Sequence, residues 1–148
     1  MKIKNSKNIE FAVNIAKNLS EWFTEEAIKN ISQDGLNNEL LIAKINEKIV
    51  GFLIYKIIGK NCEIQWLGVN RNNWRRNVGT KLIRELEKIL KNDEIEEIFL
   101  STLADTVDYE PYEITRKFFR KNGFRNKRID KDFYPDGGDR LILHKKSK

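Results

Sequence analysis

A switch in hydrophobic pattern near the middle of the chain constrains its fold more than any other feature. A strand-like apolar run ends at Val69, and a helical pattern with apolar residues mostly three or four positions apart begins at Asn77. Between them lies a short polar loop with Arg75 and Arg76. A strand, a basic loop and a helix in this order aim free backbone N–H groups and a positive helix end at one place. Such a place suits a phosphate or pyrophosphate, to which Lys81 would add charge.

The loop contains neither of the common glycine motifs for nucleotides. No Gly-x4-Gly-Lys-Ser/Thr sequence occurs, and the three spaced glycines of a dinucleotide fingerprint are absent. A basic loop is also compatible with an ordinary solvated surface. The segment alone therefore allows two interpretations, an anion site or a solvated loop.

Residues 74–79 resemble the acetyl-CoA-binding motif of the GNAT superfamily of N-acetyltransferases, Arg/Gln-x-x-Gly-x-Gly/Ala. Gly79 matches the last position, whereas Trp74 replaces Arg/Gln and Asn77 replaces the first glycine. Asn tolerates the positive φ that glycine usually provides. The resemblance therefore predicts a pyrophosphate loop that is built mainly from backbone amides.

Two more segments resemble the same family, in the family's order. Residues 43–54 (AKINEKIVGFLI) resemble its central hairpin, with a turn at Asn46-Glu47. Residues 112–124 (YEITRKFFRKNGF) resemble its late helix and turn, in which Gly123 takes the left-handed helix end. The resemblance covers nearly the whole chain.

Length, composition and element order predict one globular domain over residues 1–148. The chain is 40% hydrophobic and 34% charged, which is typical of a soluble protein with a real core. We predict an α/β (α+β) fold with a mixed, mostly antiparallel twisted sheet of about six to seven strands and helices on both faces. Thr24 should cap a helix that the Asp34-Gly35 pair ends near Ser32. Strands are expected at about 1–4, 39–45, 49–58, 62–69, 97–102, 124–129 and 140–144, and helices at 8–19, 25–32, 77–91 and 111–123.

The remaining composition excludes several classes of protein. No apolar run reaches the roughly 18 residues of a membrane helix, and the N-terminus lacks the apolar segment of a signal peptide. The single Cys62 allows no internal disulfide, and His144, which we interpret as a surface residue at a strand end, offers no metal site. We therefore expect a cytoplasmic protein without a metal or a membrane. The net charge of +6 is concentrated at residues 71–84 and 116–128, which fits a solvated surface, CoA phosphates or nucleic acid.

The resemblance implies acetyl-CoA as cosubstrate and a cofactor-binding set around the loop. Gly68 would let the pantetheine arm approach the backbone, and N–H groups near it could stabilise the oxyanion. The set comprises Leu67, Gly68, Val69, Arg75, Arg76, Asn77, Val78, Gly79, Thr80 and Phe119.

Phe119 stands where the family usually has a Tyr that is thought to protonate the leaving thiolate. Phe cannot donate a proton, so three interpretations remain. The thiolate, with a pKa of about 8.5 for a simple thiol, leaves unaided; or Tyr112 or Tyr134 replaces the missing acid; or the domain binds CoA without acetylating anything.

Glu63 is the candidate general base, acting directly or through water. Strand alternation places Glu63, Gln65 and Leu67 on one face, where burial would raise the pKa of the carboxyl group; a solvent-facing Glu is the alternative. Trp22, Phe23 and Trp66 are candidates for lining the wall of the acceptor pocket, although aromatic residues there also fit a core. Gln65 is a further candidate for binding the acceptor.

The sequence thus predicts an acetyl-CoA-dependent N-acetyltransferase that acts on a primary amine of a small molecule or peptide, as a monomer or homodimer. A non-catalytic acyl-CoA-binding or sensing domain is the main alternative. A nucleic-acid-binding module is a weaker one, because the apolar residues of the basic helix fit core packing better than base stacking. Polyamine, aminoglycoside, amino acid, peptide and protein lysine acceptors all stay open, and acidity from Asp105, Asp108 and Glu110 is expected near the acceptor mouth.

Overall fold

The computed structural model, which describes residues 1–147, contains one seven-stranded sheet in the order β1-β2-β3-β4-β5-β7-β6. Neighbouring strands pair antiparallel except β4 and β5, which pair parallel. The predicted mixed, mostly antiparallel sheet is confirmed. Among the described helices, none has the length and apolar character needed to cross a membrane. The elements are β1 (Lys2–Ser6), α1 (Glu10–Lys17), α2 (Glu25–Asn37), β2 (Glu39–Ile45), β3 (Lys48–Ile58), β4 (Asn61–Val69), a 3-10 helix (Arg71–Arg76), α3 (Val78–Leu90), β5 (Glu97–Leu103), α4 (Glu110–Lys121), β6 (Arg125–Asp130) and β7 (Arg140–Lys146).

Each face of the sheet buries its own apolar core. Along β3, Leu53 and Tyr55 belong to the core that contains α3, whereas Phe52 and Ile54 belong to the core that contains α1 and α2. This division follows from the alternation of side chains along a strand. The strand therefore reads as a continuous apolar run, and helices cover both faces as predicted.

The special backbone positions near turns and caps agree with the sequence. Asn46 and Glu47 have φ values of 50° and 66°, as a tight hairpin turn requires. Gly123 has a φ of 94° directly after α4. Thr24 caps α2, because its Oγ1 accepts a hydrogen bond of 3.1 Å from the backbone N–H of Ala27.

The predicted end of α2 is wrong. The helix does not stop near Ser32 but continues to Asn37. An ideal Cβ on Gly35 would lie 1.9 Å from Cδ1 of Ile9. The glycine therefore makes room for the Ile9 side chain inside the helix, and its sequence pattern cannot be distinguished from that of a helix breaker.

The pairing of β4 with β5 is short, and this creates the main opening in the fold. Asn61–Glu63 pairs with Glu97–Phe99. Beyond these residues β4 continues along β3 to Val69, and β5 continues along β7 to Leu103. The facing edges of β4 and β5 are therefore without a strand partner, and a cleft lies between them.

Candidate active site

A cleft of about 630 Å³ opens where β4 and β5 separate, a size typical of small-molecule sites. It collects predicted residues from five regions: the α1–α2 connection, β4, the start of α3, α4 and the β6–β7 loop. The predicted residues that line it are Trp22, Phe23, Gln65, Leu67, Gly68, Val69, Gly79, Tyr112, Phe119 and Tyr134.

The loop before α3 has the geometry predicted for an anion site. The 3-10 helix Arg71–Arg76 leads to Asn77, which has left-handed φ and ψ of 57° and 30°. Asn77 thereby performs the conformational role of the glycine that the family motif has at this position. Arg75 and Arg76 are exposed at the end of the loop, where their charge adds to the positive end of the helix.

The first turn of α3 presents free backbone donors. No side chain caps this helix, and its first helical hydrogen bond, 3.0 Å long, runs from the N–H of Lys81 to the carbonyl of Asn77. The N–H groups of Val78, Gly79 and Thr80 precede that bond, so they have no acceptor within the helix. They form a donor set suited to a phosphate.

The two glycines of the site relieve crowding from aromatic rings. An ideal Cβ on Gly79 would lie 2.8 Å from Cζ of Phe118, so the glycine lets α3 and α4 approach each other beside the cleft. An ideal Cβ on Gly68 would lie 2.5 Å from Cε1 of Phe52. The missing side chain of Gly68 therefore makes room for a core ring, and the approach of a ligand to its backbone stays a prediction.

Trp74 joins the anion loop to the α1–α2 connection through a cluster that we call the loop clasp (Glu21, Trp22, Arg71 and Trp74). The Trp74 indole donates a 2.8 Å hydrogen bond to the Val69 carbonyl, and its ring meets that of Trp22 edge-on at 5.3 Å. The Arg71 guanidinium lies 5.6 Å from the ring centroid of Trp22 and 5.2 Å from that of Trp74. It also lies 2.8 Å from the Glu21 carboxylate. The clasp thus connects the side of the cleft that carries the anion loop to the predicted acceptor wall.

The predicted acceptor wall is partly core. Phe23 is 8% exposed and packs near Phe52 and Trp66, with ring centroids 6.3 and 6.2 Å away. Trp22 is more open, and its indole donates a 2.8 Å hydrogen bond to the carbonyl of Pro111 at the start of α4. Both rings nevertheless line the cleft.

A bulge in β4 overturns the predicted common face of Glu63, Gln65 and Leu67. Ile54 pairs with Trp66 and Tyr55 with Ile64, so Gln65 is an extra residue that interrupts the alternation. Leu67 packs against the core on the α3 side. Both neighbours of Glu63 also belong to that core, so Glu63 faces the opposite side.

Glu63 is half-buried but is not among the residues that line the cleft. Burial raises the pKa of its carboxyl group, and the charge of Asp34 adds to this effect while Lys56 opposes it. Gln65 does line the cleft, and its Oε1 accepts a 2.9 Å hydrogen bond from Asn38. Any contact between Glu63 and a ligand in the cleft would therefore need an intervening water.

Two tyrosines and Phe119 lie together in the cleft. Burial raises the pKa of Tyr112 and of Tyr134, so both phenols keep their protons at neutral pH. The Tyr112 hydroxyl donates a 3.2 Å hydrogen bond to the Trp22 carbonyl. Phe119 is 6% exposed and contacts Phe124 edge-on at 5.4 Å, so it is also a core residue.

Thr102 on β5 is a candidate that the sequence analysis missed. It is 5% exposed and lines the cleft. Within residues 1–147, its Oγ1 is the one buried side-chain polar atom without a hydrogen-bond partner. An unsatisfied buried hydroxyl costs about 1–3 kcal/mol, which a ligand in the cleft would recover. A threonine among apolar strand residues gives no signal in sequence, because threonine is common in strands.

Part of the positive charge that we expected at the surface is bonded to other groups within the protein. Arg116 is 2% exposed; it donates a 2.7 Å hydrogen bond to the last carbonyl of β5 and lies 3.5 Å from the Asp105 carboxylate. Asp105 also binds Arg120, which lowers the pKa of its carboxyl group. Arg116 therefore does not contribute to a basic surface, and none of Asp105, Asp108 and Glu110 lines the cleft.

We expected His144 at a strand end, but it lies within β7. Its Nδ1 is 3.4 Å from Oε2 of Glu97 on the neighbouring β5. Among the described residues, no group of His, Cys, Asp and Glu side chains could hold a metal ion.

Comparison with known proteins identifies the family. The model of the acetyltransferase (GNAT) family matches residues 9–124, so the chain belongs to that family. An uncharacterized N-acetyltransferase of Methanocaldococcus jannaschii is 26% identical over 110 residues, which are 74% of this chain and 67% of the relative. A protein of Desulfovibrio desulfuricans assigned to the GNAT family has the same fold, with a TM-score of 0.88, 15% identity and 99% coverage of both chains. The PaiA N-acetyltransferase of Thermoplasma acidophilum, solved in complex with coenzyme A, gives a TM-score of 0.73, 23% identity and 99% coverage of both chains.

The protein is thus an acetyl-CoA-dependent N-acetyltransferase. The family, fold class and type of reaction predicted from the sequence are confirmed.

Proposed function

We propose that the cleft between β4 and β5 binds acetyl-CoA and transfers its acetyl group to a primary amine that enters from the α1–α2 side. The observation that carries this proposal is the separation of β4 from β5 after Glu63, which leaves backbone donors and acceptors exposed along both strands. The bound cosubstrate supplies an acetyl thioester. Residues of this chain must bind the cosubstrate, stabilise the oxyanion and transfer the protons.

The residues at the start of α3 fit the pyrophosphate of such a ligand. The amides of Val78, Gly79 and Thr80, together with the charges of Arg75 and Arg76, suit the pyrophosphate. Their donor capacity depends on the left-handed Asn77 that opens the helix.

The middle of the cleft fits the pantetheine arm. Leu67 and Val69 alternate with the residues that bond β3, so their backbone groups face the open side toward β5. The Val69 carbonyl already accepts the Trp74 indole. The Leu67 groups and the Val69 N–H can bond an amide-containing chain in the way a neighbouring strand would. The unsatisfied hydroxyl of Thr102 on the opposite wall offers a further partner.

Backbone N–H groups near Gly68 would stabilise the oxyanion that forms as the amine attacks the thioester carbonyl. The attack forms a C–N bond and breaks the C–S bond, the amine loses a proton, and the sulfur gains one. We assign proton removal to Glu63 acting through water, since it does not line the cleft. Tyr134 would protonate the sulfur, because it is neutral and lines the cleft. Tyr112 would do so only after its hydroxyl leaves the Trp22 carbonyl.

A thermal melt tests the cosubstrate, and thiol release tests the reaction. A ligand at one hundred times its Kd stabilises by about 2.7 kcal/mol, which corresponds to a Tm increase of about 5–11 °C for a domain of this size. We expect this increase with acetyl-CoA and with CoA but not with ATP, followed by CoA release when an amine is added. A Tm that does not respond to millimolar CoA would refute the proposal.

A further inference from the structure

The half of the cleft bordered by the α1–α2 connection, the start of α4 and the β6–β7 loop, which we call the acceptor end, is strongly aromatic. Five aromatic residues line it: Trp22, Phe23, Trp66, Tyr112 and Tyr134. Aromatic faces bind apolar or aromatic groups through a large contact area. The acceptor end therefore favours a ligand with a compact apolar body.

Most polar side-chain atoms at the acceptor end are already bonded within the protein. The Trp66 indole donates to Asp34 at 2.7 Å, the Trp22 indole to the carbonyl of Pro111 at 2.8 Å, and the Tyr112 hydroxyl to the Trp22 carbonyl at 3.2 Å. Few groups are left to bond a ligand with many hydroxyl or amino groups, and such a ligand would lose its own hydration on entry.

Among the described residues that line the cleft, Asp136 is the one with a charged side chain. Asp136 lies in the β6–β7 loop. This loop packs closely on β5: an ideal Cβ on Gly138 would lie 3.0 Å from Cδ2 of Leu103. Asp136 is exposed, its Oδ1 accepts a hydrogen bond of 3.2 Å from the N–H of Gly138, and its Oδ2 accepts none from the described residues. One carboxylate matches one ammonium group.

Three other carboxylates in this region are engaged within the protein. Glu21 pairs with Arg71 at 2.8 Å, and Asp105 with Arg120 at 3.1 Å. Asp139 accepts hydrogen bonds from the Thr106 hydroxyl and from a backbone N–H. Among the cleft-lining residues that the structure describes, a polycation would meet one carboxylate, so any further charge that enters the cleft would be desolvated without a partner.

We propose that the acceptor is a small primary amine with one positive charge and an apolar, aromatic body, of the arylalkylamine class, with its ammonium group recognised by Asp136. This inference rests on the proposed acetyl transfer. The bound ammonium loses one proton through water to Glu63 and becomes the nucleophile. The neutral amine then forms the amide bond as the C–S bond breaks, and its second proton ends on the CoA sulfur.

The test compares thiol release from acetyl-CoA across a matched panel of amines. The panel contains 2-phenylethylamine, phenylalanine, 1,4-diaminobutane, spermidine, kanamycin and the tripeptide Phe-Ala-Ala. We expect kcat/KM for 2-phenylethylamine to be at least tenfold above that of every other member. Phenylalanine tests the role of charge most directly, because it adds only a carboxylate, which Asp136 would repel.

A pair of variants tests the assigned residue. Asp136→Asn keeps an oxygen for the Gly138 N–H but removes the charge, so KM for 2-phenylethylamine should rise about fivefold or more with little change in kcat. Asp132→Asn is the matched control, since it makes the same charge change in the same loop outside the cleft lining and Asn suits its positive φ of 51°. Its kinetics should equal those of the wild type, and the acetyl-CoA melt should be unchanged in both variants.

The outcomes separate the two proposals. If acetyl-CoA raises Tm but polyamines, kanamycin or the tripeptide are preferred, or if no member of the panel reacts, the acceptor class is wrong while the cosubstrate site stands. Equal KM values for Asp136→Asn and Asp132→Asn would remove Asp136 as the ammonium partner. If acetyl-CoA neither shifts Tm nor releases thiol, the proposed function itself fails.

Discussion

Replacing Thr102 by valine should stabilise the free protein and weaken its hold on acetyl-CoA. Valine has nearly the shape of threonine but no hydroxyl, and β5 tolerates it well as a β-branched strand residue. Because the Thr102 hydroxyl is buried and unpaired, its removal recovers a desolvation penalty of about 1–3 kcal/mol. For a domain of this size, this gain corresponds to a rise in Tm of the free protein by roughly 2–4 °C per kcal/mol.

The same hydroxyl should act in the opposite direction once the cleft is filled. A hydrogen bond to the ligand contributes about 1 kcal/mol, which corresponds to about a fivefold change in Kd. The Tm values of wild type and Thr102→Val should therefore converge as acetyl-CoA is added, because the variant starts with the higher Tm and its Tm rises less. Isothermal titration would measure the change in Kd independently of stability.

Thr102→Ser is the matched control. It keeps the hydroxyl and deletes one buried methyl group, so it should lose stability by about 1 kcal/mol while Kd stays near that of wild type. The reasoning is refuted if the free Thr102→Val protein is less stable than wild type, or if its acetyl-CoA affinity is unchanged.

Three further predictions concern the anion loop and the proton-transfer groups. Arg76→Glu should sharply reduce the Tm increase caused by acetyl-CoA. Lys88→Glu makes the same charge change at the far end of α3 and should leave that increase intact. Similar losses in both variants would mean that only the net charge of the protein matters. Tyr112→Phe and Tyr134→Phe should each lower kcat, and the double variant by tenfold or more; unchanged turnover in the double variant would exclude both as acids. Burial raises the pKa of Glu63, so its contribution to stability is present at low pH and is lost as pH rises through the folded pKa. Glu63→Gln should therefore gain stability relative to wild type as pH rises above about 4.3, and should lose the pH-dependent rise of kcat/KM; parallel stability curves would contradict this.

The sequence predicted those features whose causes are local. The Thr24 cap, the turn at Asn46-Glu47 and the left-handed Asn77 each depend on the conformational preference of one or two residues. Hydrophobic periodicity likewise located α3, because its apolar face is regular. The fold class followed from the order of these elements.

The errors arose where a distant contact decided the outcome. Gly35 remains helical because the Ile9 side chain fills the space beside it. The bulge at Gln65 separates Glu63 from Leu67 and is set by pairing with β3. Arg116 is buried by its bond to the end of β5. None of these contacts leaves a trace in the local pattern of residues, so sequence reasoning treated Gly35 as a breaker and Arg116 as a surface charge.

The open edge of β4 has a consequence for how such proteins diverge. A groove whose donors and acceptors belong to the main chain keeps its binding capacity while the side chains beside it drift, as long as the backbone path is preserved. This chain carries Trp74 and Asn77 in place of two letters of its family signature, yet Asn77 holds the required backbone angles. A signature written in side-chain letters therefore matches this chain at one of three positions, whereas the break in pairing after Glu63 depends on the backbone alone.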